Sequence, residues 1–246
     1  MTDGGSFDAK TDVSARRPRR SSAQARKKIM KTATAEFARH GFAGARIARI
    51  VKRAGSNPRM IYHYFGNKSQ LYIAVLESAL AGLRTVELGL DVEDLDPLKG
   101  LLRLFDFMNS YCEANPDLVR LLVTENLSKA RYMRKSARIR EMSSPVLEMI
   151  SKFLSRGIAD GRFSKELDPL RLYVMMVALG QFHVSNVHTL SMIFASDLSR
   201  PEWRSARAND ARSMLAAFLS DGYRTPARKL RHAARPVGKV VVESGT

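Results

Sequence analysis

Prolines that stand directly before apolar stripes constrain the fold of this chain more than any other feature. Pro97, Pro145, Pro169 and Pro201 each precede apolar residues spaced three or four positions apart. Proline is tolerated in the first turn of an α-helix, where its missing N–H would have no partner, but it disrupts a helix interior. Such spacing places apolar side chains on one helical face, and no sustained alternation of period two occurs. The sequence therefore predicts an all-α protein of about nine helices.

Capping residues and glycines predict where these helices begin and end. Ser21 or Ser22 is a suitable N-cap for the first helix, and Asn57 and Asn67 for the third and fourth. The first four helices are expected to run from Ser21 or Ser22 to His40-Gly41, from Arg46 to Ala54, over about 58–64, and from Lys68 to about Gly89. The later helices are expected to begin at Pro97, after Asn115-Pro116, at Pro145, at Asp168-Pro169 (reaching about Ala195) and at Pro201.

The positive charge is concentrated in a short part of the chain. The whole chain has a net charge of +17, of which residues 13–76 contribute +14 and residues 223–246 contribute +5, whereas residues 77–222 are neutral. A basic excess of this kind indicates a polyanionic partner. We expect a disordered basic arm over 1–20, a DNA-binding domain over 21–67, a body over 68–222 and a flexible basic tail over 223–246. The arm either follows the minor groove or only aids solubility.

Composition excludes several classes of protein. Cys112 is the single cysteine, so no disulfide forms within one chain, and we expect it to be a core residue. The histidines show no metal-binding spacing, and no cofactor is expected. The beginning of the chain does not resemble a signal peptide, and polar residues interrupt the apolar stretch 170–195, so we expect a cytoplasmic protein without a membrane span.

Residues 29–76 contain two short helices joined by a glycine-containing turn, which is typical of a helix-turn-helix whose second helix enters the major groove of DNA. No Asp or Glu occurs between Phe37 and Leu76. Helix two is expected to expose Arg46, Arg49 and Arg53 opposite its apolar face. The candidate DNA-binding residues, which offer donors and aromatic rings to phosphates and base edges, are Arg46, Arg49, Arg59, Met60, Tyr62, His63, Tyr64 and Lys68.

This segment resembles the N-terminal signature of the TetR family of repressors, most clearly in the phrase IYHYFGNKSQLY. The resemblance implies a homodimer with one helix-turn-helix per subunit and a helical ligand-binding body. It places Tyr62, Tyr64 and Lys68 at phosphate-contacting positions, and Arg59, Met60 and His63 at base-facing ones. The chain departs from the family at Ala45, where Thr or Ser usually caps helix two and touches phosphate. Either Arg46 replaces that phosphate contact or the contact is absent, and the helix start is expected to be less well capped.

The resemblance also implies that the body binds a small-molecule effector and that the last two helices form the dimer contact. Candidate effector-binding residues combine apolar walls with isolated polar groups, although most also suit an ordinary core: Phe105, Met108, Leu122, Asn126, Phe153, Met176, Phe182 and Asn186. The expected dimer contacts are Leu172, Met176, Leu179, His183, Met214, Leu215 and Phe218. Similarity to a TetR subgroup linked to catabolic genes suggests an aromatic or heterocyclic catabolite. The basic stretch 129–140 is either a solvated helix end or a site for an anionic effector.

Two hypotheses about function follow. The first is a dimeric transcriptional regulator, a repressor, that binds a palindromic operator in double-stranded DNA and is released by a small molecule. The second is an architectural DNA-binding protein without sequence preference or effector response. An enzyme is not indicated, because metal motifs, phosphate-binding loops and nucleophile elbows are absent from the sequence.

Overall fold

The computed structural model describes residues 16–142, 144–163 and 167–220, and within these ranges every regular element is helical. This confirms the predicted all-α class. There are eleven α-helices in the described ranges, with one short 3-10 helix over Met133–Lys135: α1 (Arg16–Gly44), α2 (Ile47–Ala54), α3 (Pro58–Phe65), α4 (Lys68–Leu88), α5 (Pro97–Ala114), α6 (Pro116–Leu127), α7 (Ala137–Glu141), α8 (Pro145–Ala159), α9 (Pro169–Ser185), α10 (Val187–Ile193) and α11 (Pro201–Ser220).

The first helix begins earlier than its sequence predicts. Residues 16–20, assigned above to the disordered arm, are already helical, so Ser21 and Ser22 lie inside α1 and do not cap it. Pro18 falls in the first turn, where a missing N–H costs nothing, and the surrounding arginines and alanines are good helix formers. Residues 1–15 of the arm and the basic tail over 223–246 lie outside the described residues.

The break at the end of α1 and the start of the turn follow from one glycine. Gly41 has φ 62° and ψ 179°, so helical geometry is interrupted where His40-Gly41 predicts it. A side chain at this positive φ would be strained, which is why glycine serves here. The chain regains helical hydrogen bonding for residues up to Gly44, and α2 then starts in a new direction.

The predicted long helix from Pro169 to about Ala195 is wrong in part, because it is divided at Asn186. That residue has φ −113° and ψ 10°, and its side-chain amide donates to the Phe182 carbonyl at 2.9 Å. The Ser185 hydroxyl donates to the same carbonyl at 3.1 Å. Side chains that bond nearby backbone groups compete with helix continuation. This division and the short α7 account for the two helices beyond the nine expected.

The described residues form two hydrophobic cores. The head core gathers α1, α2, α3 and the first half of α4 around Phe37, Ile50 and Ile61. The predicted domain boundary at residue 68 coincides with the start of α4. The first half of that helix nevertheless packs into the head core. The body core lies where α5 packs against α8, α9 and α11. No helix in the described ranges is long and apolar enough to cross a membrane.

Candidate DNA-binding site and effector cavity

The turn between α2 and α3 is fixed by local sequence. Gly55 ends α2 in the left-handed conformation, with φ 59° and ψ 40°. The Asn57 side chain accepts the Met60 N–H at 3.0 Å, and Pro58 occupies the first position of α3. Asn67 caps α4 in the same way by accepting the Gln70 N–H at 2.9 Å. The predicted caps at Asn57 and Asn67 are confirmed. Asn57 fixes the start of α3, and Asn67 fixes the start of α4.

The outer surface of α3 separates the predicted DNA-binding residues into two groups. Arg59, Tyr62 and His63 are exposed on one face of the helix. Met60 and Tyr64 are half-buried and pack against the head core. The Tyr64 hydroxyl also lies 2.9 Å from the Ser22 hydroxyl on α1, so this ring braces α3 against α1. The surface that α3 offers to a partner therefore consists mainly of a guanidinium, a phenol and an imidazole.

The start of α2 is held to α1 by Glu36, a residue that sequence reasoning missed. Arg46 is the N-cap, and its own side chain makes no capping bond. Instead, the carboxylate of Glu36 on α1 accepts the Arg46 N–H at 3.0 Å. Glu36 has no exposed surface, and Ala45 is also buried. The expectation of a less well capped start is confirmed, because no side chain of the described residues caps the first turn of α2, and the Glu36 carboxylate binds only the N–H of the N-cap residue itself.

The same carboxylate redirects Arg49. The Arg49 Nε donates to Glu36 Oε1 at 2.6 Å, and its Nη2 donates to the Gly44 carbonyl at 2.6 Å. Burial raises the pKa of Glu36, but the Arg46 N–H and the Arg49 guanidinium outweigh it, so the pKa lies below its ordinary value. Arg49 is thus held against the protein. The prediction that it is exposed opposite the apolar face of α2 is wrong.

Lys68 lies beside an aromatic cluster that joins the head to the body. Its Nζ is 4.7 Å from the centre of the Phe42 ring, and burial lowers the pKa of the lysine. The Phe42 ring lies 4.3 Å from that of Tyr132, which follows α6, and 5.5 Å from that of Tyr72 on α4. A residue proposed to contact phosphate therefore sits directly on rings that touch the body.

A small enclosed cavity of about 90 Å³ lies among α4, α5, α6 and α9. Two of the predicted effector-binding residues, Met108 and Leu122, line it. The remaining walls come from residues that sequence reasoning missed, because they meet only when four helices pack together. Among them are Leu83, Glu87, Phe107, Tyr111, Cys112, Tyr173, Val177 and Gln181.

The other six predicted effector-binding residues lie elsewhere. Phe105, Phe153 and Met176 are buried in the body core. Asn126 is exposed at the end of α6, and Asn186 bonds the Phe182 carbonyl at the break between α9 and α10. These positions fill the core or face outward, and Phe153 lies on α8, which does not line the cavity.

Phe182 borders a second, open hollow of about 670 Å³ between α9, α10 and α11. At its inner side, Arg207 donates to Asn109 and to the Leu179 carbonyl, and His183 lies 2.9 Å from Glu113. Burial lowers the pKa of His183. The predicted contact residues Leu172, Met176, His183 and Leu215 are buried within the protomer, so they cannot form the outer face of these helices.

Two groups in the cavity wall carry ionisable atoms. The Glu87 carboxylate is buried, and Arg84 Nη1 donates to its two oxygens at 2.7 and 2.6 Å. Burial raises the pKa of Glu87 despite that pairing. Burial likewise raises the pKa of the Cys112 thiol to about 11, which keeps it protonated at neutral pH. Cys112 is thus a weakly reactive, partly buried wall residue of the cavity rather than the core residue that the sequence predicts.

An exposed, acid-free recognition helix on a compact head, followed by a separate helical core that encloses a cavity, defines a helix-turn-helix regulator. The family described as "Bacterial regulatory proteins, tetR family" matches residues 29–75, and "Tetracyclin repressor-like, C-terminal domain" matches residues 97–215. The chain belongs to the TetR family of transcriptional regulators, which are not enzymes. The HTH-type transcriptional repressor NicS of Pseudomonas putida is 37% identical over 174 residues, which cover 71% of this chain and 82% of NicS.

Solved structures agree with the fold. The transcriptional regulator SCO4942 from Streptomyces coelicolor is 26% identical, with a TM-score of 0.53 over 77% of this chain and 97% of that one. A TetR transcriptional regulator from Chloroflexus aurantiacus is 21% identical and has a TM-score of 0.60, covering 82% of this chain and 98% of that one. At that identity the second likeness concerns the fold alone.

Proposed function

We propose that the protein is a dimeric repressor that binds a palindromic operator through α2 and α3 and leaves it when a small molecule occupies the body. The observation that carries the proposal is the outer surface of α3, where Arg59, Tyr62 and His63 stand exposed and free of acidic neighbours on the same helix. Long donors and aromatic rings on one short, capped helix suit base edges in a major groove. The protein would act in the cytoplasm, where its DNA lies.

A second copy of the chain is the proposed partner of the outer faces of α9 and α11. Leu170, Val174, Met175 and Phe182 on α9 and Met214 on α11 are large apolar side chains that stand exposed in one protomer. Adjacent exposed apolar side chains on two neighbouring helices are typical of an interaction surface. A two-fold dimer would bury the same faces on both copies and would set two heads at a fixed spacing, as a palindromic operator requires.

The enclosed cavity is the proposed effector site, and α6 is the proposed connection to the head. Leu118, Val119 and Leu122 on α6 line the cavity, whereas Leu121 on the same helix is buried in the head core. A ligand that binds better when α6 shifts would therefore change the position of the head relative to the body. It changes DNA affinity only by its difference in affinity for the two arrangements.

The size and walls of the cavity favour a compact ring compound. A volume of about 90 Å³ has room for one ring, and the Phe107, Tyr111 and Tyr173 side chains supply aromatic surface. Glu87 is the one acidic side chain among the described lining residues, and its carboxylate is already paired with Arg84. Polar ligand groups would therefore meet the Gln181 amide and tyrosine hydroxyls. An aromatic or heterocyclic catabolite fits these properties.

Filling the cavity should abolish the effector-induced release from the operator without changing DNA binding by the head. Val177→Phe adds a ring inside the cavity, so a compound that releases wild-type protein from its operator should no longer do so. Release is followed by fluorescence anisotropy of labelled operator during a screen of single-ring metabolites. The matched control is Val86→Phe, an exposed valine on α4 that should leave the response intact. Unchanged release of Val177→Phe would place the effector elsewhere.

Operator selection decides between the repressor and the architectural alternative. Duplexes bound by the full chain are enriched from a random library and then challenged with excess random DNA. A repressor should enrich a palindrome and retain it with a preference of about 10³-fold or more over random duplex. An architectural protein should enrich no common sequence, and random competitor should displace it at equal concentration.

A further inference from the structure

Glu36 is the single acidic residue between residues 13 and 76, and its side chain has no exposed surface. A buried carboxylate is tolerated only where charges and hydrogen bonds compensate for lost hydration. Its Oε1 accepts the Arg46 N–H at 3.0 Å and the Arg49 Nε at 2.6 Å. Its Oε2 lies 3.6 Å from Arg53 Nη1 and 3.8 Å from His40 Nε2. Four groups on three sides therefore converge on one carboxylate in the middle of the DNA-binding head.

We propose that Glu36 is a positioning residue for DNA binding, which ties the start of α2 to α1 and holds Arg49 to the protein so that Arg46 provides the phosphate contact at the start of α2. The inference rests on the proposed DNA-binding function. The two arginines are three residues apart and look alike in sequence. The carboxylate gives them different roles.

The contacts of the two arginines separate these roles. Arg46 is exposed, and Glu36 engages only its backbone N–H, so its guanidinium is available to a partner. The Arg49 guanidinium is half-buried and already donates to Glu36 and to the Gly44 carbonyl. If Arg49 turned to a phosphate, it would leave a buried carboxylate without its closest positive charge. The Arg53 side chain is more exposed than that of Arg49, and its Nη1 lies farther from the Glu36 carboxylate. Glu36 therefore attracts the Arg53 guanidinium without holding it by a hydrogen bond.

The salt dependence of DNA binding measures how many side chains reach phosphate. The logarithm of the binding constant falls with the logarithm of salt concentration by ~0.9 for each phosphate contact. In the full chain on a short random-sequence duplex, Arg46→Gln should reduce this slope by ~0.9 for each bound head. Arg49→Gln should leave the slope unchanged, because its charge serves Glu36. Arg103→Gln, at an exposed position on α5, is the matched charge control.

Glu36→Gln gives the opposite test. The amide oxygen can still accept the Arg46 N–H, but without the negative charge Arg49 and Arg53 are free to reach the duplex. The slope should steepen by ~0.9 for each arginine released, and preference for a selected operator over random duplex should fall. A residue with only a structural role would lower the melting temperature without steepening the slope, so unfolding is followed by circular dichroism in parallel.

Several outcomes overturn the inference. A slope that flattens equally in Arg49→Gln and Arg46→Gln means that Arg49 contacts phosphate, and an unchanged slope in folded Glu36→Gln means that the carboxylate does not restrain the arginines. If Glu36→Gln does not fold, Arg46→Gln decides, because the Arg46 side chain is exposed and the substitution keeps the backbone N–H that Glu36 accepts; an unchanged slope in that variant then overturns the inference. Failure of the wild-type chain to bind any duplex would instead contradict the proposed function itself.

Discussion

The exposed side chains of Arg59, Tyr62 and His63 on α3 differ in what each can offer a base edge. Arg59 has a planar guanidinium whose paired donors match the O6 and N7 acceptors of guanine. His63 carries one or two ring donors according to its protonation, and the Tyr62 ring offers apolar surface with a hydroxyl at its tip. Arg59 makes no hydrogen bond or ion pair with the rest of the described chain, so it can turn into the groove at no cost to the fold.

Arg59→Ala should relax the base preference at one position of each operator half-site by about 1–3 kcal/mol, with smaller changes elsewhere. The reason is the loss of a bidentate contact that no neighbouring side chain replaces. Competition between the selected operator and its single-base variants measures the preference. Arg103→Ala removes the same charge from the body and should leave every base preference as it is. Identical preferences in Arg59→Ala and wild type would remove Arg59 from the base-reading set.

For individual residues, the sequence predicts the contacts that form between residues close together in the chain. The caps at Asn57 and Asn67 and the left-handed Gly55 follow from residues within three positions of each bond. The bond from the Arg46 N–H to Glu36 spans ten residues and a glycine break, so it depends on the angle at which α1 and α2 cross. The roles of Arg46 and Arg49 could not be separated from the sequence for the same reason.

The segment that follows α6 is the element through which body and head meet. Glu125, buried in the last turn of α6, accepts the N–H groups of Tyr132 and Met133 at 3.1 and 3.0 Å. These bonds fold the segment back after Lys129 and Ala130, which both have φ 56°. Two adjacent non-glycine residues at positive φ are strained and persist only where other contacts hold them. The result places the Tyr132 ring on Phe42 of the head.

Glu125→Ala should release this segment from the head. It leaves two buried N–H groups without an acceptor, and each such group costs about 1–3 kcal/mol. Hydrogen exchange should therefore show loss of protection at the amides of Tyr132 and Met133, and urea unfolding should show lower stability. Glu141→Ala, an exposed glutamate on α7, is the control and should change neither. Unaltered protection of both amides in Glu125→Ala would show that the aromatic contacts alone hold the segment.

The helices themselves were largely predictable, whereas their interruptions and pairings were not. Prolines and apolar spacing located α4, α5, α6, α8 and α11 to within a few residues, because these signals act along a single helix. Asn186 divides α9 from α10 through bonds to the preceding turn, an effect that apolar spacing does not register. Which apolar residues line the cavity depends on how four helices pack, so periodicity alone could not distinguish Met108 from Phe105.

At the scale of the whole molecule, charge and apolar surface are segregated. The excess positive charge of the chain lies in residues 13–76 and 223–246, and most of the exposed large apolar side chains in the described part of the neutral body lie on α9, α10 and α11. A head that binds a polyanion would therefore be carried by a body that joins a second copy. Two such heads on one two-fold axis double the number of phosphate contacts, so dimerisation and DNA affinity should be linked.

Val174→Asp tests that linkage. Val174 is 56% exposed on α9 in one protomer, so a charge there is tolerated in the monomer. In a two-fold dimer the substitution occurs twice in the interface, and burying unpaired carboxylates should weaken association by at least ~3 kcal/mol, more than 100-fold in Kd. Sedimentation equilibrium measures association, and operator binding should weaken in parallel.

The control is Leu127→Asp, which introduces the same carboxylate at an 83% exposed leucine at the end of α6. Because Leu127 itself belongs to neither α9 nor α11, this change should leave both the dimer and operator affinity intact. A Val174→Asp protein that remains as dimeric as wild type would move the interface to another face. A wild-type chain that is monomeric at micromolar concentration yet still prefers a palindrome would mean that DNA itself brings the two heads together. In that case the exposed apolar side chains of α9 and α11 would require a different partner.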